Sequence, residues 1–157
     1  MKRIAVLMLG ALFALDVMRA GAQTGETDNS AVYLYNGADR AQRLIAKARE
    51  EGSLTLYTSM APTESGPLAQ AFQQKYGIKA VLWRSLSEDV LQRVLAEARA
   101  GRRSVDVVET NGPEVEALAR ERVVAQFDSP YLTELPDWAI PPHRRWLADR
   151  ATLWVTG

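Results

Sequence analysis

The chain of 157 residues reads as a three-layer α/β unit, a mostly parallel sheet flanked by helices. Three observations predict this class. Short apolar, strand-like runs at 54–58, 78–83 and 105–108 alternate with stretches of helical period. The connections between them are short, as they are where a crossover helix returns the chain to a parallel neighbour. Apolar residues make up 47% of the chain, enough to cover a sheet on both faces.

The elements follow in order. Met1-Lys2-Arg3 is a basic start, Ile4 to Leu15 is apolar, and Ala20-Gly21-Ala22 is a run of small residues. Together they predict a secretory signal peptide over 1–22, cut before Gln23. The apolar run is shorter than the roughly 20 residues that cross a bilayer, and Asp16 and Arg19 follow it closely. The expected destination is the periplasm, with no membrane span after cleavage. Residues 23–38 are mostly small and polar and predict a flexible mature N-terminus.

From Asp39, the spacing of Ala41, Leu44, Ile45 and Ala48 predicts an amphipathic helix that stops at Gly52. A strand at Leu54–Thr58 leads into a breaker-rich loop, Ser59 to Pro67, and then a helix with Leu68, Phe72 and Tyr76 on one face. Ile78–Trp83 is the second strand. Ser85-Leu86-Ser87-Glu88 fits an S-x-x-E capping box for a helix that buries Val90, Leu91, Val94, Leu95 and Ala98. Asp89 and Arg93 are spaced for an ion pair on that helix, and Gly101 closes it. Val105–Val108 is the third strand. Pro113 suits the first position of a helix carrying Val115, Leu118 and Ala119 inward. Residues 128–146 hold four of the seven prolines and read as an irregular connection, and Ala151–Val155 as a last strand.

Composition narrows the chemistry. With 19 basic and 19 acidic residues there is no excess positive charge for nucleic acid. Residues 1–22 hold three of the basic and one of the acidic residues, so the remainder is slightly acidic. No Cys is present, which excludes disulfides, thiolate metal sites and a Cys nucleophile. His143 is the one histidine, in Pro-Pro-His-Arg-Arg-Trp, where a solvent-facing loop is expected. Neither G-x-G-x-x-G nor a phosphate-binding loop motif occurs. No cofactor is expected, and no protein-held metal.

Ligands of parallel sheets gather beyond the carboxyl ends of the strands. Three turns end there, each leading into a helix N-terminus, where free N–H groups and the helix dipole favour an anion. Thr58, Ser59, Ser85, Ser87, Thr110, Asn111 and Gly112 are the candidate ligand-binding residues, although such residues are also the common helix caps. Glu109 is a candidate ligand or general base; no nucleophile motif accompanies it, so an enzyme is the weaker alternative. Trp83 leads into the second turn as a candidate pocket wall. The arginines of 99–103 lie where the third strand begins, opposite the site, and read as a solvated face.

The segments GSLTLYTSMAPTESGPLAQAFQQKYGIKAVLWRS, VLQRVLAEARAGRRSVDVVETNGPEVEAL and FDSPYLTELPDWAIPPH resemble extracellular solute-binding proteins of ABC transporters, in the ferric-iron-type subfamily. The resemblance covers roughly 39–157, with Leu56-Tyr57-Thr58-Ser59 and Asp106–Pro113 its most specific parts. It implies the first lobe of a two-lobe, type II periplasmic binding-protein fold, with the second lobe missing from this chain. It implies a small-molecule or metal–anion ligand and an inner-membrane ABC permease as partner. Iron-binding members commonly supply a His and a Glu from the first lobe, and by the motifs those positions fall at Ala61 and Asn111. Neither residue can serve, so the expected ligand is an anion, organic or phosphorylated, with ferric iron as the alternative.

Overall fold

The computed structural model describes residues 34–151. The expected signal peptide and the last strand beyond Ala151 lie outside the described residues. Four helices and three strands alternate: α1 (Arg40–Glu51), β1 (Ser53–Thr58), α2 (Pro62–Tyr76), β2 (Lys79–Arg84), α3 (Ser87–Arg99), β3 (Val107–Glu109) and α4 (Gly112–Arg120). Two short 3₁₀ turns, Pro130–Glu134 and Asp137–Ala139, punctuate the proline-rich connection.

The sheet is parallel with order β2-β1-β3. The chain moves from β1 to one side for β2, then crosses back over β1 to reach β3. Right-handed crossovers in opposite directions put their helices on opposite faces. One face carries Tyr57, which forms the core with Val90 and Val94 of α3 and Leu118 of α4. The other is covered by α1 and α2, which contact β1 and β2. The sheet is therefore the middle of three layers, the fold class the alternation predicts.

On the α3 face, Tyr57 and Trp83 are register partners with ring centres 4.9 Å apart. The Arg93 guanidinium lies over both rings, 4.6 Å and 4.3 Å from their centres. Its Nε donates to Glu97 Oε1 at 2.9 Å, and the Tyr57 hydroxyl, itself buried, donates to the same carboxylate at 3.1 Å. Burial pushes the Glu97 carboxyl up, but hydrogen bonds from Arg93 and Tyr57 and the charges of Arg93 and Arg102 bring it below its ordinary value. A buried acid is kept charged because its partners are in place.

Several local expectations are corrected. The stretch from Pro62 to Pro67 is helical rather than looped. Pro62 occupies the first turn, where no N–H is needed, and the Glu64 carboxylate accepts from the Ala61 N–H at 3.3 Å. Leu68, expected on the inner face of that helix, is 51% exposed. The S-x-x-E capping box does not form: α3 starts at Ser87 with Leu86 as its cap, and the Ser85 hydroxyl donates to Asp89 at 2.7 Å. Arg93 pairs one turn onward, with Glu97, because the two aromatic rings hold its guanidinium on the inner side. Trp83 accordingly belongs to the core side of the sheet and is not a pocket wall. β3 is shorter than expected. Asp106 precedes it, accepting from the Thr55 N–H at 2.7 Å while its own N–H donates to the Thr55 carbonyl at 3.0 Å.

Candidate functional site

Three turns meet at the carboxyl edge of the sheet, and their mutual hydrogen bonds fix the meeting. Ser59 N–H donates to the Glu109 carbonyl at 3.1 Å, joining the first turn to the third. Ser85 N–H donates to the Thr58 carbonyl at 3.2 Å, joining the second to the first. Asn111 Nδ2 donates to Ser87 Oγ at 2.7 Å, joining the third to the second.

Glu109 is the knot of this edge. Its Oε2 accepts from the Thr58 hydroxyl and from the N–H groups of Ser59 and Met60, both at 3.1 Å. Its Oε1 accepts from Arg150 Nη2 at 2.8 Å. With four donors on two oxygens, the carboxylate acts as a clamp on the β1–α2 turn. Oε2 is committed to that turn, while Oε1 carries the single bond from the exposed Arg150.

The candidate ligand residues divide by what their polar atoms already do. Thr58 is fully buried; its hydroxyl donates to Glu109 and accepts from the Met60 N–H at 3.0 Å. Ser85 and Ser87 hydroxyls are engaged with Asp89 and Asn111. Ser59 Oγ makes no hydrogen bond among the described residues and is half-exposed in the first turn. The Thr110 hydroxyl oxygen is buried with no partner among the described residues, as is Glu114 Oε2. Asn111 and Gly112 are exposed, Asn111 as the cap of α4.

Thr110, Asn111 and Gly112 border a cavity of about 540 Å³ between the start of α4 and the chain from Trp146 to Arg150. Trp138, 64% exposed, forms another wall. The far side is anchored by Glu116 of α4, whose Oε2 accepts from Trp146 Nε1 at 2.9 Å and from His143 Nε2 at 3.1 Å. His143 Nδ1 accepts from the Arg145 N–H at 3.1 Å, so the proton sits on Nε2. His143 is thus a half-buried anchor, which corrects the solvent-facing reading. The hydrogen bonds from Trp146, Arg120 and His143 hold the Glu116 carboxyl down at about 2.

Sequence reasoning missed Arg84. It is the register partner of Thr58 at the end of β2, as Glu109 is at the end of β3, so Arg84 and Glu109 flank Thr58 on one face. Arg84 Nε donates to the Met60 carbonyl at 3.0 Å, and among the described residues no bond holds its two Nη groups. The signal was present as a cation closing an otherwise apolar strand, Val81-Leu82-Trp83-Arg84.

The α/β arrangement of a parallel sheet flanked by helices is a fold shared with type II periplasmic binding proteins. Two of the solved structures that share it illustrate the likeness. One is iron-bound HitA from Pseudomonas aeruginosa, with TM-score 0.56 and 22% identity over 60% of this chain and 31% of that one. The other is IdiA (FutA) from Trichodesmium in complex with iron and citrate, with TM-score 0.54 and 18% identity over 61% of this chain and 30% of that one. The match spans under a third of either protein's length. No family model matches the chain, and no curated protein does.

Ala61 and Asn111, where the family resemblance places a His and a Glu, are the residues that cap α2 and α4. Among the described residues no group of three His, Asp or Glu is placed to hold a metal ion. No helix among them is long and apolar enough to cross a membrane.

Proposed function

We propose that this chain is the first lobe of a solute-binding receptor that captures a small anionic solute in the periplasm for an inner-membrane ABC permease. The observation that carries the reading is the convergence of three hydrogen-bonded turns at the carboxyl edge of a sheet whose fold is that of ligand-holding proteins. Arg84 supplies the charge, with Nε fixed on a backbone carbonyl and both Nη groups open to a carboxylate or phosphate. Ser59 and the N-terminus of α4 supply neutral donors around it. Each charge-assisted bond of this kind contributes about 1.5–3 kcal/mol.

A second reading, ferric iron held together with an organic anion, draws on the two fold neighbours: one is iron-bound and the other holds iron with citrate. In that reading this lobe grips the anion, and the metal is held mainly by groups outside the described residues.

The test is a thermal-shift titration of the chain with inorganic phosphate, glucose 6-phosphate, citrate, ferric chloride, and ferric chloride with citrate. Stabilisation by an anion without metal, weakened about tenfold by Arg84→Ala, is expected. Stabilisation by ferric chloride alone, unchanged by Arg84→Ala and Ser59→Ala, overturns the anion reading in favour of direct metal ligation.

A further inference from the structure

Among the described residues a second cavity, about 900 Å³ in volume, lies at the other end of the sheet, where β3 begins and α3 and α4 end. Its floor is apolar, built from Val94, Val105, Val123 and Val124. All four belong to the core cluster or pack against it, so the floor is a rigid extension of the core. Its rim holds four arginines from three separate stretches: Arg102 and Arg103 before β3, Arg122 after α4, and Arg145 from the proline-rich connection.

Two carboxylates share the rim, and they differ. Glu97 is buried and already engaged by Arg93 and Tyr57. Glu121 is exposed at the end of α4. The groove therefore faces solvent with a clear positive excess over an apolar base.

Two of the arginines are placed by specific structure. Arg145 is half-buried, and its Nη1 donates to the Val124 carbonyl at 2.7 Å, which pins the guanidinium against the groove wall. Arg122 terminates α4 with φ at 57°, in the left-handed region. Its N–H donates to the Ala119 carbonyl at 3.1 Å and the next N–H, of Val123, to Leu118 at 3.0 Å. Glycine is the usual residue at such a helix end, because a Cβ is strained there. Here an arginine takes the position, and its side chain goes to the groove.

We propose that this groove is a docking surface for an acidic, partly apolar peptide segment of a partner protein. The charge complement of the rim is a row of carboxylates. The valine floor is of no use to a small inorganic anion but accommodates the alternate apolar side chains of an extended segment.

The test uses the full chain and a fluorescein-labelled eight-residue peptide alternating Glu and Val, followed by anisotropy, with a Lys–Val peptide, inorganic phosphate and phosphatidylglycerol vesicles as comparisons. The Glu–Val peptide is expected to bind, and to weaken steeply as salt shortens the screening length from about 10 Å at 0.1 M to about 3 Å at 1 M. Arg102→Gln, an exposed change, should weaken it about twofold to fivefold. Arg122→Gly separates recognition from folding: it should raise the melting midpoint by about 2–4 °C while weakening the peptide. Equal binding of the Lys–Val peptide overturns the proposal, as does full competition by phosphate at matched ionic strength. So does indifference of the Glu–Val peptide to both substitutions, or vesicle binding with the same arginine dependence where the peptide does not bind.

Discussion

Replacing Glu109 by Ala tests whether the carboxyl edge is held by one side chain. The substitution removes the acceptor of the Thr58 hydroxyl, of the Ser59 and Met60 N–H groups, and of Arg150. The losses are unequal. Ser59 N–H retains the Glu109 main-chain carbonyl at 3.1 Å, and Met60 N–H retains the Thr58 hydroxyl oxygen at 3.0 Å. Arg150 is exposed and keeps Glu64 within 3.5 Å. Only the Thr58 hydroxyl, fully buried, is left with a donor and no acceptor. A bond to a charged acceptor is worth about 1.5–3 kcal/mol, and the retained second acceptors soften the rest. The expected cost is about 2–3 kcal/mol for Glu109→Ala and about 1 kcal/mol for Glu109→Gln, which keeps one acceptor oxygen. Urea unfolding followed by circular dichroism measures both, with an unchanged m-value showing that the native state is intact. A loss below about 0.5 kcal/mol for the Ala variant would mean that the three turns stand without the clamp, refuting the reasoning.

Leu118 is fully buried between Tyr57, Val90 and Val94, so Leu118→Ala should cost about 2–5 kcal/mol in the same unfolding experiment, and a value under 1 kcal/mol would misplace the core. Glu116 has its carboxyl lowered from 4.5 to about 2, so the stability it contributes is fully present above pH 4.5 and is lost as pH falls from there toward 2. Acid unfolding read by tryptophan emission should show this dependence in the native chain and lose part of it in Glu116→Gln; an unaltered acid profile would show that the carboxylate is not held by Trp146, Arg120 and His143.

Much of the fold was legible because the sheet depends on period and punctuation. Gly52, Gly77 and Gly101 all adopt positive φ at helix ends, where glycine alone is unstrained, and they delimit the strands that follow. Errors arose where a local signal competed with a longer-range contact. Ser85 has the sequence of a cap, yet β2 extends to Arg84 in register with Thr58, so the helix begins one residue later than the cap requires. Gly66-Pro67 reads as a loop, yet Pro62 and Glu64 start the helix upstream and carry it through. The three turns meet at one edge of the sheet, but which of their hydroxyls are already bonded there was not legible. Whether Ser85 turns to a ligand or to Asp89 is a matter of rotamer and neighbour, which residue type does not encode. Arg84 escaped notice for a related reason. Its role depends on the Met60 carbonyl, which the fold brings to it across a turn and a helix.

The two ends of this sheet carry opposite chemistry for one topological reason. Every strand is parallel, so every strand ends on the edge where the following helix begins, and every helix ends on the opposite edge. The first edge gathers helix N-termini and hydroxyl-bearing turns; the second gathers helix C-termini, whose negative dipole ends favour cations. Compensation of those dipoles accounts for Arg99 and Arg120, which lie in the last turns of α3 and α4. It does not account for Arg145, which reaches the groove from a connection with no helix and is fixed there by the Val124 carbonyl. Nor does it account for Arg122, whose left-handed backbone costs about 1–2 kcal/mol that a glycine would avoid. A charge placed for a helix dipole would sit within the last turn, where it costs nothing. These two sit beyond it, on the wall of an apolar groove, and a ligand for the groove is the reason they share.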